Sequence, residues 1–139
     1  GAETALVTCS AGFSDARTAR TVITLRVGPE IVSGSTRLKS GTATKMALNM
    51  ITTSAMVKLG KVFGNRMVDL QPKSRKLRER GVRLVQELAK VSRSGAIALL
   101  RKSGWSVKNA VVMSIKKVSL RESRQILQEN NGHLSRSIK

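Results

Sequence analysis

At 139 residues the chain has room for one domain and its core, or for one domain with a small appendage. A hydrophobic fraction of 40% fits a folded protein, and with 2% aromatic residues and no tyrosine that core must be built from Ala, Val, Ile, Leu and Met. Twenty-six Lys and Arg against eight Asp and Glu give a formal charge of +18, which favours non-specific, salt-sensitive contact with phosphate-rich polymers; the single cysteine excludes an intramolecular disulfide framework.

Thr4–Cys9 (TALVTC) reads as a short buried strand bounded by Gly1 and by Ser10-Ala11-Gly12. Phe13–Arg20 is polar and basic, a connection or a single helical turn. The β-branched run Thr21–Val27 (TVITLRV) is the next strand, with Arg26 near its exit. Two strands joined by a brief crossover belong to the trailing part of a parallel α/β sheet. The opening GAETALVTCS has no initiator Met and reaches a strand within a few residues, and the earlier strands of such a sheet are not in this stretch. Such a half sheet leaves an open edge and an uncovered apolar face, so aggregation is expected of it in isolation.

Gly28–Asn49 (GPEIVSGSTRLKSGTATKMALN) turns from strand pattern into a glycine-punctuated polar loop and then a helix. A loop of this kind can aim backbone N–H groups and hydroxyls at one anion such as a phosphate. Ser35, Thr36, Arg37 and Lys39 are the candidate phosphate contacts, Arg37 offering a bidentate fork; the same loop also suits a solvated turn that caps the helix. GSTRLKS lacks the glycine immediately before its lysine, which makes a nucleotide P-loop a poor match. Glu30 is placed either to accept hydrogen bonds from sugar hydroxyls or to pair with Arg37 or Lys39. Lys45 and Asn49, one helical turn apart, read as braces between helix and loop.

From Ser40 to Lys61, Met46, Ala47, Met50, Ile51, Ala55, Met56 and Leu59 recur at helical spacing and predict a long amphipathic helix, ended by Gly60 and Gly64. Phe63–Pro72 reads as a loop in which Asn65 and Asp69 form local turns and Met67, Val68 and Leu70 supply apolar anchors. Pro72 marks a boundary. Lys73–Lys90 predicts a second helix, with Leu77, Val82, Leu84, Val85 and Leu88 inward and a series of basic residues around the remainder.

The tail contains a repeat. At an offset of 27 residues Ser92, Ala96, Leu99, Leu100, Val107, Ala110 and Val111 meet Ser119, Ser123, Ile126, Leu127, Leu134, Ser137 and Ile138. Each unit reads as a Ser N-cap, a helix, a glycine-bearing turn and a second helix, and such pairs bury their faces only by stacking. The glycine register differs between Ser103-Gly104-Trp105 and Asn130-Asn131-Gly132, so one helix end is expected to be irregular. His133, the only histidine, and Cys9 lie far apart and lack further ligands or a third orienting group, so both read as structural. Trp105 reads as a packing anchor of the tail rather than a stacking platform for bases.

Gly28-Pro29-Glu30, Gly34-Ser35-Thr36-Arg37, Lys39, Gly41-Thr42-Ala43, Lys45 and Asn49 resemble the signature shared by N-acetylmuramic acid 6-phosphate etherases and the glucokinase regulatory protein, both built on sugar isomerase (SIS) domains. The following LGKVFGNRMVDLQPKSRKLRERGVRLV is also similar to the etherases, so the resemblance covers nearly the whole chain. It implies a partial SIS α/β domain over residues 1–71, a connecting helix over 72–90 and a ubiquitin-associated-like helical appendage over 91–139. It also implies a carbon–oxygen lyase that cleaves the lactyl ether of N-acetylmuramic acid 6-phosphate to N-acetylglucosamine 6-phosphate and lactate, with Glu30, Ser35, Thr36, Arg37 and Lys39 on the substrate-phosphate side. The family's two catalytic carboxylates lie upstream of this segment, which implies that it is inactive alone. No metal or cofactor, a homodimeric parent and a cytoplasmic location complete the expectation. The alternatives are a non-catalytic sugar-phosphate sensor and a basic protein that contacts nucleic acid only non-specifically, its cations being dispersed rather than interleaved with aromatics.

Overall fold

The computed structural model describes residues 2–10, 12 and 19–139. Most of the expected connection over Phe13–Arg20, with Gly1 and Ala11, lies outside them. The fold is mixed α/β, mostly helical, with a small parallel sheet, and it divides into two compact units, Gly1–Ser54 and Ala55–Lys139.

In the first unit, β1 (Ala5–Thr8) pairs in parallel with β2 (Thr21–Thr24), Ala5 opposite Thr21 and Thr8 opposite Thr24. The pair is shorter than the apolar pattern suggests. One further ladder bond, from Leu25 N–H to Thr8 O at 2.8 Å, closes it before the chain turns away. The irregular segment 25–38 leads into α1 (Lys39–Lys58), a 20-residue helix whose Met, Ala, Leu and Lys content favours that state.

The helix does not have the one-sided apolar face expected of it. At about 100° per residue, Leu48 and Leu59 fall opposite Met46 and Met50, and no residue of α1 is buried; Met46 is 59% and Met50 66% exposed. A helix that is apolar around its circumference is one suited to cover on several sides. Two four-residue strands are too small to supply it.

The second unit begins at Ala55, in the last turn of α1. Gly60 takes a left-handed turn (φ +67°), and the chain then forms a tight hairpin of β3 (Val62–Phe63) and β4 (Arg66–Met67) around Gly64-Asn65. The loop expected over Phe63–Pro72 thus starts as paired backbone, because the Gly-Asn dipeptide is a hairpin turn even between two-residue strands. Nor does Asp69 make a local turn: its carboxylate receives Lys61 Nζ at 2.7 Å, with Lys108 Nζ at 3.8 Å. Asn65 accepts a hydrogen bond from the Arg66 guanidinium, which also grips Glu87.

Five helices follow. They are α2 (Arg75–Ala89), α3 (Arg93–Lys102), α4 (Val107–Lys116), α5 (Leu120–Glu129) and the short α6 (Leu134–Ser137). Ser74, Ser92, Ser106 and Ser119 cap the first four, each hydroxyl accepting a backbone N–H of the first turn, and Glu122 closes a full capping box with Ser119. Val68, Val82, Leu84, Val85, Ala96, Leu100, Val107, Ala110, Val111, Val112, Leu127 and Leu134 form one continuous core. Helix α4 lies at its centre, packed against α2, α3, α5 and α6.

The 27-residue repeat is structural. Ala96 and Ser123, Leu100 and Leu127, Val107 and Leu134, and Ala110 and Ser137 are buried pair by pair. The two turns also coincide: Gly104-Trp105 and Asn131-Gly132 each place two residues at positive φ, and Trp105 N–H and Gly132 N–H donate to Leu100 O and Leu127 O, both at 2.7 Å. The irregular member is Trp105, which holds φ +64° without a glycine's freedom while its ring lies under the Arg78 guanidinium, 5.2 Å away.

Candidate functional site

In a parallel sheet every strand's carboxyl end opens on the same side, and ligands of such sheets bind there. β1 runs out at Thr8 into Cys9 and β2 at Thr24 into Leu25–Gly28, so the two exits converge with the start of α1. Cys9 Sγ lies 3.7 Å from Ser40 O and 3.6 Å from Thr44 Oγ1, tying the strand exit to the first turns of α1. A cleft of about 390 Å³ opens here, lined by Cys9, Thr24, Arg26, Val27 and Gly28.

Beyond Gly28, whose φ of +68° turns the chain, the loop folds back on the helix. Glu30 closes this return. Its Oε1 accepts the Ser40 N–H at 2.9 Å and its Oε2 the Lys39 N–H at 3.1 Å, which caps α1 with a carboxylate from nine and ten residues upstream. The Ser40 N–H above all, then that of Lys39, holds the Glu30 carboxyl below its ordinary value of 4.5. Lys39 Nζ donates to Pro29 O at 2.7 Å rather than pairing with Glu30. Gly41 N–H donates to Thr36 O at 2.9 Å and Thr42 N–H to Leu38 O at 3.2 Å, which completes the first turn.

The five candidate residues are therefore arranged in two layers. Glu30 and Lys39 are half-buried and engaged with backbone, fixing the loop to the helix. Ser35, Thr36 and Arg37 form an exposed rim, and their side chains make no hydrogen bond or ion pair among the described residues. The helix N-terminal N–H groups that could face an anion already hold one, the Glu30 carboxylate. An external anion at this loop would meet the Ser35 and Thr36 hydroxyls and the Arg37 guanidinium.

Cys9 and Arg26 were not among the candidate site residues, yet both line the cleft. The signal was present in their positions, one and two residues beyond the ends of neighbouring parallel strands. An apolar groove of about 440 Å³ lies along the other flank of β2 and α1, lined by Ile23, Leu25, Ala43, Met46, Met50 and Ile51 among others. Among the described residues no three His, Cys, Asp or Glu side chains are grouped to hold a metal ion, and no helix is long and apolar enough to cross a membrane.

The cap has a pH signature. A carboxylate whose folded value is lowered adds stability that is present above its ordinary 4.5 and is lost as the pH falls through the folded value. Glu30→Gln, which keeps the shape and removes the charge, is expected to melt below the unaltered chain at neutral pH. Circular dichroism melts should show that gap narrowing as the pH drops below 4.5; a gap constant with pH would remove Glu30 from the capping role.

No family model matches the chain. The N-acetylmuramic acid 6-phosphate etherase of Picosynechococcus sp. is 45% identical over 139 residues, which is 100% of this chain and 46% of that protein. The protein of the same name from Trichodesmium erythraeum is 50% identical over 117 residues, 84% of this chain and 38% of its own length. That from Staphylococcus epidermidis is 40% identical over 137 residues, 99% of this chain and 46% of the relative. The chain thus spans less than half the length of the curated relatives it matches.

Proposed function

We infer that this chain, which is related over its whole length to part of the N-acetylmuramic acid 6-phosphate etherases, is the C-terminal part of such an enzyme. One observation carries the reading: 45% identity that runs through all 139 residues without leaving either unit unmatched. β1, β2, the loop and α1 are then the second half of an SIS domain, residues 1–71, and the groove beside Met46 and Met50 is where its remaining elements pack. Residues 72–90 connect to a ubiquitin-associated-like appendage over 91–139. The parent is a cytoplasmic homodimer.

The reaction is cleavage of the lactyl ether of N-acetylmuramic acid 6-phosphate, a carbon–oxygen lyase step in cell-wall sugar recycling. An elimination followed by addition of water to the resulting double bond needs a base for the proton next to the acetal carbon and an acid for the departing lactate oxygen. Both carboxylates belong to the upstream half. Glu30 is not a substitute for either, since its oxygens are committed to the Ser40 and Lys39 N–H groups. What this chain contributes is the phosphate end of the site: Ser35 and Thr36 hydroxyls and the Arg37 guanidinium receive the 6-phosphate, while Glu30 and Lys39 hold the loop in place.

A full-length protein that contains this sequence should release lactate from N-acetylmuramic acid 6-phosphate, and the 139 residues alone should not. Arg37→Ala in that full-length protein removes one charge-assisted contact, worth about 1.5–3 kcal/mol, and so is expected to lower kcat/KM by roughly 10- to 150-fold, chiefly through KM. Absence of lactate release from the unaltered full-length protein would overturn the reading. An unchanged KM in Arg37→Ala would overturn only the phosphate assignment.

A further inference from the structure

The positive charge is concentrated in one unit. Residues 55–139 hold twenty Lys and Arg against five Asp and Glu, which is +15 of the chain's +18. All five acids are already engaged: Asp69 with Lys61, Glu79 with Arg93, Glu87 with Arg66, Glu122 with Ser119 and Glu129 with Gln125. Only Asp69, Glu79 and Glu87 are ion-paired, with Lys61, Lys108, Arg93 and Arg66, so most of the twenty cations have no carboxylate beside them in the unit.

Three of them share one face of α2. Lys76, Arg80 and Arg83 recur at spacings of four and three residues and make no hydrogen bond or ion pair among the described residues. They line a groove of about 350 Å³ with Leu77, Leu84 and Glu87. Like charges at this spacing repel along a helix, so an anion laid across all three stabilises both itself and α2. From Lys76 to Arg83 the helix rises about 10.5 Å, the axial length of about three phosphates of one DNA strand.

We propose that the Lys76–Arg80–Arg83 face of α2 is a docking surface for the phosphodiester backbone of double-stranded nucleic acid, bound without regard to sequence. The groove is open along one helix, which suits an extended polyanion better than an enclosed small anion. Its apolar members, Leu77 and Leu84, are half-buried and buried, and no aromatic ring stands on the face, so it lacks the apolar side chains that a helix inserts into a lipid surface. The same lack of exposed aromatics leaves backbone charge, rather than bases, as what is read. This surface is made of residues other than those of the loop over 28–38 and does not depend on the etherase reading.

The test is fluorescence anisotropy of a full-length protein that contains this sequence with a labelled mixed-sequence duplex, titrated between 50 and 200 mM salt. Each phosphate neutralised on a duplex contributes about 0.9 to the slope of log K against log salt, so the triple variant Lys76→Ala, Arg80→Ala, Arg83→Ala is expected to flatten the slope by about 2.7. Lys116→Ala, Arg121→Ala, Arg124→Ala removes the same charge from α4 and α5 and is expected to leave the slope unchanged. Arg80→Lys with Arg83→Lys, which preserves charge and helix propensity, is expected to retain it and so separates lost contacts from lost folding. Equal flattening by both alanine triples would reduce the binding to general electrostatics and overturn the site. So would absence of binding at 50 mM salt, or displacement of the duplex by inorganic phosphate at matched ionic strength.

Discussion

Gly60→Ala is expected to destabilise the chain more than any other glycine-to-alanine change in it. The position has φ +67°, and an alanine Cβ there would sit 2.9 Å from Gly132 O and 3.0 Å from both Gly132 C and His133 N. All three are backbone atoms of the α5–α6 turn, which cannot rotate out of the way as a side chain would. The left-handed conformation alone costs about 1–3 kcal/mol for a residue with a Cβ, and the overlap adds to it. Gly64→Ala is the matched control, because it shares a positive φ of +58° but has open space around the added carbon. Urea unfolding followed by circular dichroism should therefore show the conformational cost alone, about 1–3 kcal/mol, for Gly64→Ala and a clearly larger loss for Gly60→Ala. Equal losses would mean that the approach of Gly60 to the α5–α6 turn is not held in solution.

Leu100→Ala is the second large effect, expected to cost about 2–5 kcal/mol through lost burial and the cavity left behind. Leu100 is 0% exposed in α3, and its carbonyl also receives the Trp105 and Ser103 donors of the following turn. Ala and Val fill much of the surrounding core, so few long side chains are available to move into the space. Met46→Ala, at a 59% exposed site on α1, should by contrast change the melt little. A loss for Leu100→Ala comparable to that of Met46→Ala in the same denaturation experiment would contradict the assigned core.

Much of the second unit was legible because its signals are local. Ser92 and Ser119 each announce a helix within three residues of themselves, and the apolar spacing of Val82, Leu84 and Val85 names the buried side of α2. Features that depend on distant partners were not legible. Asp69 looks like a turn former until Lys61 and Lys108 are placed beside it. Glu30 shows the same limit at the candidate site: capping rules look for an acceptor next to the helix, and this one arrives from nine residues away across a folded loop. The apolar spacing of α1 predicted a helix correctly but not its surroundings, since Leu48 and Leu59 stand outside the stripe that Met46 and Met50 begin. The cleft at Cys9 and Arg26 follows from strand order, which composition does not encode.

The paired turns of the helical repeat show what such a duplication preserves. Ser103-Gly104-Trp105 and Asn130-Asn131-Gly132 have no residue in common at equivalent positions, yet the three backbone donors of each choose equivalent acceptors. What the two copies share is a wiring diagram rather than a spelling. A search keyed to glycine at one fixed position of the turn would find one copy and lose the other, whereas one keyed to two successive left-handed residues after a helix would recover both. Trp105→Gly, which would give the first copy the glycine of the second, then becomes a trade between two inheritances: backbone ease on one side, and the stacked Arg78 guanidinium on the other.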